Sequence, residues 1–153
     1  MTRRGKGTKL MLVVEGHGIP LGRHLDSAQR GEIKLANITL DTVQVRTPQG
    51  RPRTRPVHLT ADKGYDSRSF RRYLRGRGIA YTIPPIRRTG RRRPGRPLSA
   101  DPLRYATRWI IERTNAWLQN YRRGLVRHDR LLSPYRAFVL LACTMIALGA
   151  LSK

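Results

Sequence analysis

The chain has 153 residues, enough for one modest domain with a real hydrophobic core. It carries 32 Lys+Arg against 9 Asp+Glu, a net charge of +23; 27 of those cations are arginine, whose planar fork suits phosphate, so nucleic acid is the predicted partner ahead of an anionic membrane surface. A single cysteine, Cys143, excludes an intrachain disulfide and agrees with a reducing cytosol, and the four histidines have no zinc-ligand spacing.

No signal peptide is read at the start, because MTRRGKGTK leads into only a short apolar run. KLMLVVEG is a β-branched stretch that stops at EGHG, and IPLGRHL follows, which predicts a hairpin turning near Gly16–Gly18. In SAQRGEIKLANITLDTVQV the apolar residues Ile33, Ala36, Leu40 and Val43 recur at helical spacing. TPQGRPRTRP reads as a basic, proline-broken linker. VHLTA is a short strand, and DSRSFRRYLRGRG a helix begun by Asp66 or Ser67 as N-cap and closed by glycine. AYTIPPI is a further strand, ended by Pro84 and Pro85.

The run RRTGRRRPGRP at 87–97 is too charged to fold alone and is expected to be a mobile basic loop. Asp101 is expected to cap one long helix reaching about Arg123, with Ile110, Thr114, Trp117 and Tyr121 on its apolar stripe. Pro134 opens a last apolar helix to about residue 151; its stretch AFVLLACTMIALGAL is shorter than the roughly 20 residues of a bilayer crossing, so it is read as a buried helix. There is no internal repeat. The order of elements predicts one α/β domain, a mixed sheet flanked by helices.

Among so few acids, Asp62 stands where a strand runs out, the end at which α/β sheets present functional side chains. Glu112 lies mid-helix, and Tyr105, Arg108, Glu112 and Gln119 share one helical face through spacings of 3, 4 and 7. Two carboxylates meeting from a strand end and a helix can hold a hard divalent cation through oxygen. A pair of such ions roughly 3.5–4 Å apart activates the attacking oxygen and stabilises the leaving one in phosphodiester cleavage. Spacing alone leaves the plainer alternative open, with Asp62 a turn residue and Glu112 the partner of Arg108. EGHGIPLG lacks the following helix a phosphate loop needs and reads as a hairpin turn. Trp109 and Trp117 have helical spacing and are read as core rather than as base-stacking platforms.

Three stretches, RRGKGTKLMLVVEGHGIPLGRHLDSA, LTADKGYDSRSFRRYLRGRGI and YATRWIIERTNAWLQNYRR, resemble the transposases of the bacterial insertion-sequence 4/5 superfamily, DDE enzymes with a ribonuclease-H-like core. The family signature of Tyr, Arg, Glu and Lys is matched in place and spacing by Tyr105, Arg108 and Glu112, while Gln119 stands at the Lys position. The resemblance implies that Asp62 and Glu112 are the second and third metal-binding acids, that Arg108 faces phosphate, and that Tyr105 orients that surface. The uniformly positive run, with Arg87, Arg88, Arg91, Arg92, Arg93 and Arg96, itself fits contact with DNA phosphates; the resemblance implies a phosphate contact at the position of Gln119, which donates a hydrogen bond without charge, with Arg122 or Arg123 compensating. It further implies two Mg2+ or Mn2+ ions in the complete enzyme.

The family carries its first catalytic Asp on a strand ahead of RRGKGTK. The chain is therefore read as the C-terminal part of a transposase catalytic core, a sheet lacking its first strand. Glu15 is assigned to the hairpin and Asp26 to a loop rather than to a metal. Alone, such a chain is expected to bind DNA without cutting it. The partners implied are insertion-element ends and target DNA, an upstream-frame polypeptide or a homodimer on DNA, in the bacterial cytoplasm and nucleoid, with no membrane. The alternative from composition is a basic nucleic-acid-binding protein without catalysis.

Overall fold

The computed structural model describes residues 7–86, 101–125, 127–128 and 130–152. Strands β1 (Thr8–Val14) and β2 (Pro20–Ser27) form the predicted antiparallel hairpin, with Leu10 opposite Leu25 and Met11 opposite His24. Its two faces are served by alternation: Leu10, Leu12 and Leu25 point to one core, while Val13 joins another. Helix α1 (Glu32–Asp41) follows and buries Leu35, Ala36, Thr39 and Leu40. The basic linker closes on itself instead of running loose, because Val45 and Arg53 exchange two backbone hydrogen bonds across a turn at Gly50.

Strands β3 (His58–Thr60) and β4 (Ala80–Thr82) pair in parallel, joined through a short 3-10 turn at Lys63–Tyr65 and helix α2 (Arg68–Gly76). Of the two predicted N-caps, Ser67 does the work: its hydroxyl accepts the Phe70 N–H at 3.1 Å. Asp66 instead forms a buried ion pair, accepting Arg71 Nε at 2.9 Å with side chains 1% and 7% exposed. Its other oxygen accepts the Ile86 N–H at 2.7 Å, and Arg71 donates onward to the Ile83 carbonyl at 2.8 Å. The loop after β3 and the segment leaving β4 are thereby fastened together.

The long helix expected from Asp101 to about Arg123 is three pieces: α3 (Pro102–Ala106), α4 (Trp109–Gln119) and α5 (Arg122–Leu125). Asp101 caps α3 as expected, accepting the Leu103 and Arg104 N–H groups. The hydrogen bonding changes at the first break. Thr107 turns its hydroxyl back onto the Arg104 carbonyl, and the amides of Thr107, Arg108, Ile110 and Ile111 bond three residues back rather than four. The second follows the same pattern at Asn120 and Tyr121.

Helix α6 (Leu132–Leu151) starts just before Pro134. Its stripe of Tyr135, Val139, Ala142, Cys143 and Ile146 packs with Leu118 of α4 against Leu25. Burial stops at that stripe: Leu140, Leu141, Met145, Leu148 and Leu151 are exposed on the rest of the helix. At 20 residues α6 is long and apolar enough to cross a membrane, although its inner face belongs to this core. The second core joins α1, α2 and the β3–β4 pair through Ala36, Leu40, Phe70, Leu74, Ile79 and Ile83.

The architecture is mixed α/β, as expected, but the sheet differs. Among the described residues the strands make two separate two-stranded sheets, β1–β2 and β3–β4, rather than one mixed sheet. Between them lies a cavity of about 1090 Å³, lined by Met11–Gly16 from β1 and the turn, and by Val57–Asp62 from β3. Neither β1 nor β3 has a second strand partner among the described residues, so each leaves one ladder edge open.

Candidate active site

Asp62 is the second residue beyond β3, where the ladder's last bond is Ala61 N–H to the Thr82 carbonyl. Its backbone carbonyl accepts the Tyr65 N–H and closes the 3-10 turn, but its side chain makes no cap bond. The carboxylate is directed elsewhere. Asp62 Oδ1 accepts the Tyr105 hydroxyl at 3.0 Å and Arg108 Nη1 at 2.5 Å. The same guanidinium reaches Glu112 Oε1 from Nη2 at 3.4 Å. The acids predicted from the strand end and from the helix thus meet on one cation, Arg108.

The triangle spans the break between α3 and α4. Tyr105 lies on α3, Arg108 at the N-cap of α4, and Glu112 one turn further. The Arg108 guanidinium lies 5.5 Å from the centre of the Tyr105 ring, a cation–π contact. The Asp62 hydrogen bond lifts the Tyr105 phenol above its ordinary value, and the same carboxylate lifts the Arg108 guanidinium above its own. All three polar groups remain open to solvent, with Asp62 46%, Arg108 38% and Glu112 65% exposed.

Helix α4 is pinned to the hairpin tip. Thr114, fully buried, donates to the Gly18 carbonyl at 2.8 Å, and Arg113 donates to the His17 carbonyl at 2.7 Å. Arg113 lies 4.6 Å and 4.7 Å from the ring centres of Trp109 and Trp117. Trp117 packs into the core as expected, whereas Trp109 is 53% exposed. Gly18 has φ +91°, and a Cβ there would sit 2.9 Å from Thr114 Oγ1, so the close approach requires glycine.

Two further carboxylates line the cavity, and both are spent on structure. Glu15 forms the hairpin turn, as its position predicts, accepting the His17 and Ile19 N–H groups at 2.7 and 3.2 Å. Burial pushes its pKa up, but the His17 ring and these amides outweigh that and hold it below the usual value. Glu32 accepts the Tyr65 hydroxyl at 3.4 Å and pairs with Lys9. Asp26 pairs with Arg30 at 2.7 Å at the end of β2. Among the described residues no group of three or more His, Cys, Asp or Glu side chains is placed to hold a metal ion.

Gln119, Arg122 and Arg123 are exposed at the far end of α4 and on α5, and Arg123 lies 4.8 Å over the Phe138 ring. Arg87, Arg88, Arg91, Arg92, Arg93 and Arg96 lie outside the described residues. The spacing of the sequence missed the Asp66–Arg71 pair and the cavity positions of His58 and Asn115. No periodic signal marks these: Asp66 and Arg71 are five residues apart, off helical spacing, and the cavity positions depend on how distant elements pack.

No solved structure matches the chain. A protein of Burkholderia cepacia, described as the candidate transposase for insertion sequence element IS402, is 34% identical over 152 residues, covering 99% of this chain and 67% of that protein. The family model for the transposase DDE domain matches residues 2–147, a span that takes in the hairpin, Asp62, Tyr105, Arg108 and Glu112 together. On both counts the chain belongs to the family of transposases with a DDE domain.

Proposed function

We propose that Asp62 and Glu112 are two of the metal-binding acids of a transposase active site on a ribonuclease-H-like core, and that the site cleaves and rejoins DNA phosphodiesters at insertion-element ends. The observation that carries this reading is their convergence on a single cation at the mouth of a cavity. Carboxylate oxygens are hard ligands suited to Mg2+ or Mn2+, and a pair already arranged around a guanidinium fits a positive charge. Bound divalent ions of this kind activate an attacking oxygen and stabilise the leaving one.

The chain's own side chains supply the rest. Tyr105 fixes the Asp62 carboxylate, Arg108 offers a bidentate donor to phosphate, Gln119 donates a neutral hydrogen bond, and Arg122 and Arg123 add cationic contacts to the DNA backbone. In the proposed reaction water attacks phosphorus in line and frees a 3′-hydroxyl, which then attacks a target phosphodiester. Because two carboxylates are few for a two-ion site, a third acid is required. The reading assigns it to an extended segment that pairs with the open edges of β1 and β3 in the cavity between them. The setting is DNA in the bacterial cytoplasm, with two copies acting on paired element ends.

A supercoiled plasmid and Mn2+ test this. The chain is expected to retain the plasmid with an affinity that falls steeply with salt, to bind Mn2+ less well as Asp62→Asn, and not to nick. Mn2+ binding unchanged by Asp62→Asn overturns the metal-ligand reading. Nicking by the chain itself that Asp62→Ala abolishes overturns the need for a third acid.

A further inference from the structure

We infer that Arg108 occupies the cation's place between Asp62 and Glu112, and that a DNA phosphate must draw it away before a divalent ion can load, so that metal and DNA enter together. The inference rests on the reading of those two acids as metal ligands. Its basis is that two nitrogens of one guanidinium contact both carboxylates, Nη1 with Asp62 at 2.5 Å and Nη2 with Glu112 at 3.4 Å. A divalent ion between the two acids would meet the full charge of the arginine that already sits on Asp62 Oδ1.

Arg108 can leave without unfolding anything. It is 38% exposed, and among the described residues its side chain meets the two acids and the face of Tyr105, which keeps its own bond to Asp62 when the guanidinium moves. A phosphate diester offers paired oxygens to the guanidinium fork, a better geometric match than one oxygen from each of two carboxylates. Once phosphate holds Arg108, both acids are freed on the side from which the reacting bond arrives. Among the described residues the other cavity carboxylates are engaged elsewhere, Glu15 with the hairpin amides and Glu32 with Tyr65 and Lys9. Linkage makes the effect reciprocal: DNA tightens metal, and metal tightens DNA by the same factor. The chemical consequence is a site that stays poor in metal until its substrate is present.

The test is Mn2+ binding, followed by the resonance signal of free Mn2+, to the wild-type chain, Arg108→Gln, Arg108→Lys and Asp62→Asn. Each is measured with and without a short duplex, after subtracting Mn2+ held by the duplex alone. One arginine beside an acid shifts its cation affinity by one to three powers of ten in the case of protons. Arg108→Gln is therefore expected to tighten Mn2+ by about tenfold or more without DNA. Arg108→Lys, which keeps the charge, should stay near wild type. The duplex should tighten Mn2+ for wild type but not for Arg108→Gln.

Unchanged or weaker binding in Arg108→Gln, with Asp62→Asn abolishing it, overturns this inference and leaves the metal ligands standing. Binding indifferent to Asp62→Asn overturns both. If the glutamine variant does not fold, the wild-type arm decides: a duplex that leaves Mn2+ affinity unchanged overturns the coupling.

Discussion

The hydroxyl of Tyr105 donates to the carboxylate of Asp62 at 3.0 Å, a bond that joins α3 to the end of β3 across 43 residues of chain. It makes the phenol a reporter of the site. The bond raises the Tyr105 pKa above 10, because ionising the phenol would break a donated bond and place two anions together. Asp62→Ala is expected to bring that pKa back down towards 10, and Glu112→Gln to leave it nearly unmoved. Carbon NMR of labelled tyrosine against pH, with Tyr105→Phe to assign the resonance, checks this.

Gly18 meets Thr114 where the hairpin tip docks on α4. Gly18→Ala places a methyl 2.9 Å from the Thr114 hydroxyl at φ +91°, so strain and displacement add. A loss of at least about 1 kcal/mol is expected in urea unfolding. Gly16→Ala, whose added methyl meets nothing within 4 Å, is the control and should cost less.

The Asp66–Arg71 pair is buried on both sides, and removing one partner strands a charge. Asp66→Ala is expected to destabilise the fold by about 3 kcal/mol or more. Loss of the Ile86 anchor should accompany it, seen as faster amide exchange at Ile86, whose N–H is bonded to Asp66 at 2.7 Å.

Asp26 gives a pH signature outside the cavity. Its hydrogen bond from Arg30, together with the Ser27 amide, lowers its pKa from 3.8 to about 2. A depressed carboxylate contributes stability above its unfolded value and loses it as pH falls, here between 3.8 and about 2. Arg30→Ala is expected to move the Asp26 midpoint up towards 3.8. A carboxyl-carbon NMR titration measures the shift directly.

Much of this was legible in one dimension. The glycine-bounded turn of β1 and β2, the three-and-four spacing of α1, the serine that starts α2 and the strand that ends shortly before Asp62 are local patterns, and local sterics and hydrogen bonding produce them wherever the chain goes. Tyr105, Arg108 and Glu112 could be grouped because helical spacing puts them on one face. The three-piece helix was not legible. Helical spacing continues from Tyr105 through Arg108 to Glu112, so periodicity carries no mark of the switch to three-residue hydrogen bonds at Thr107.

What the sequence determined by itself is a strongly arginine-rich α/β chain with an acid at a strand end and another on a helix. What only the tertiary structure decided is that both acids close on the same guanidinium, and that β1 and β3, from two separate small sheets, line one cavity. The reason is range. Periodicity reports which face a residue takes on its own element, whereas the meeting of Asp62 with Tyr105 and Arg108 spans 43 and 46 residues and depends on how the elements pack.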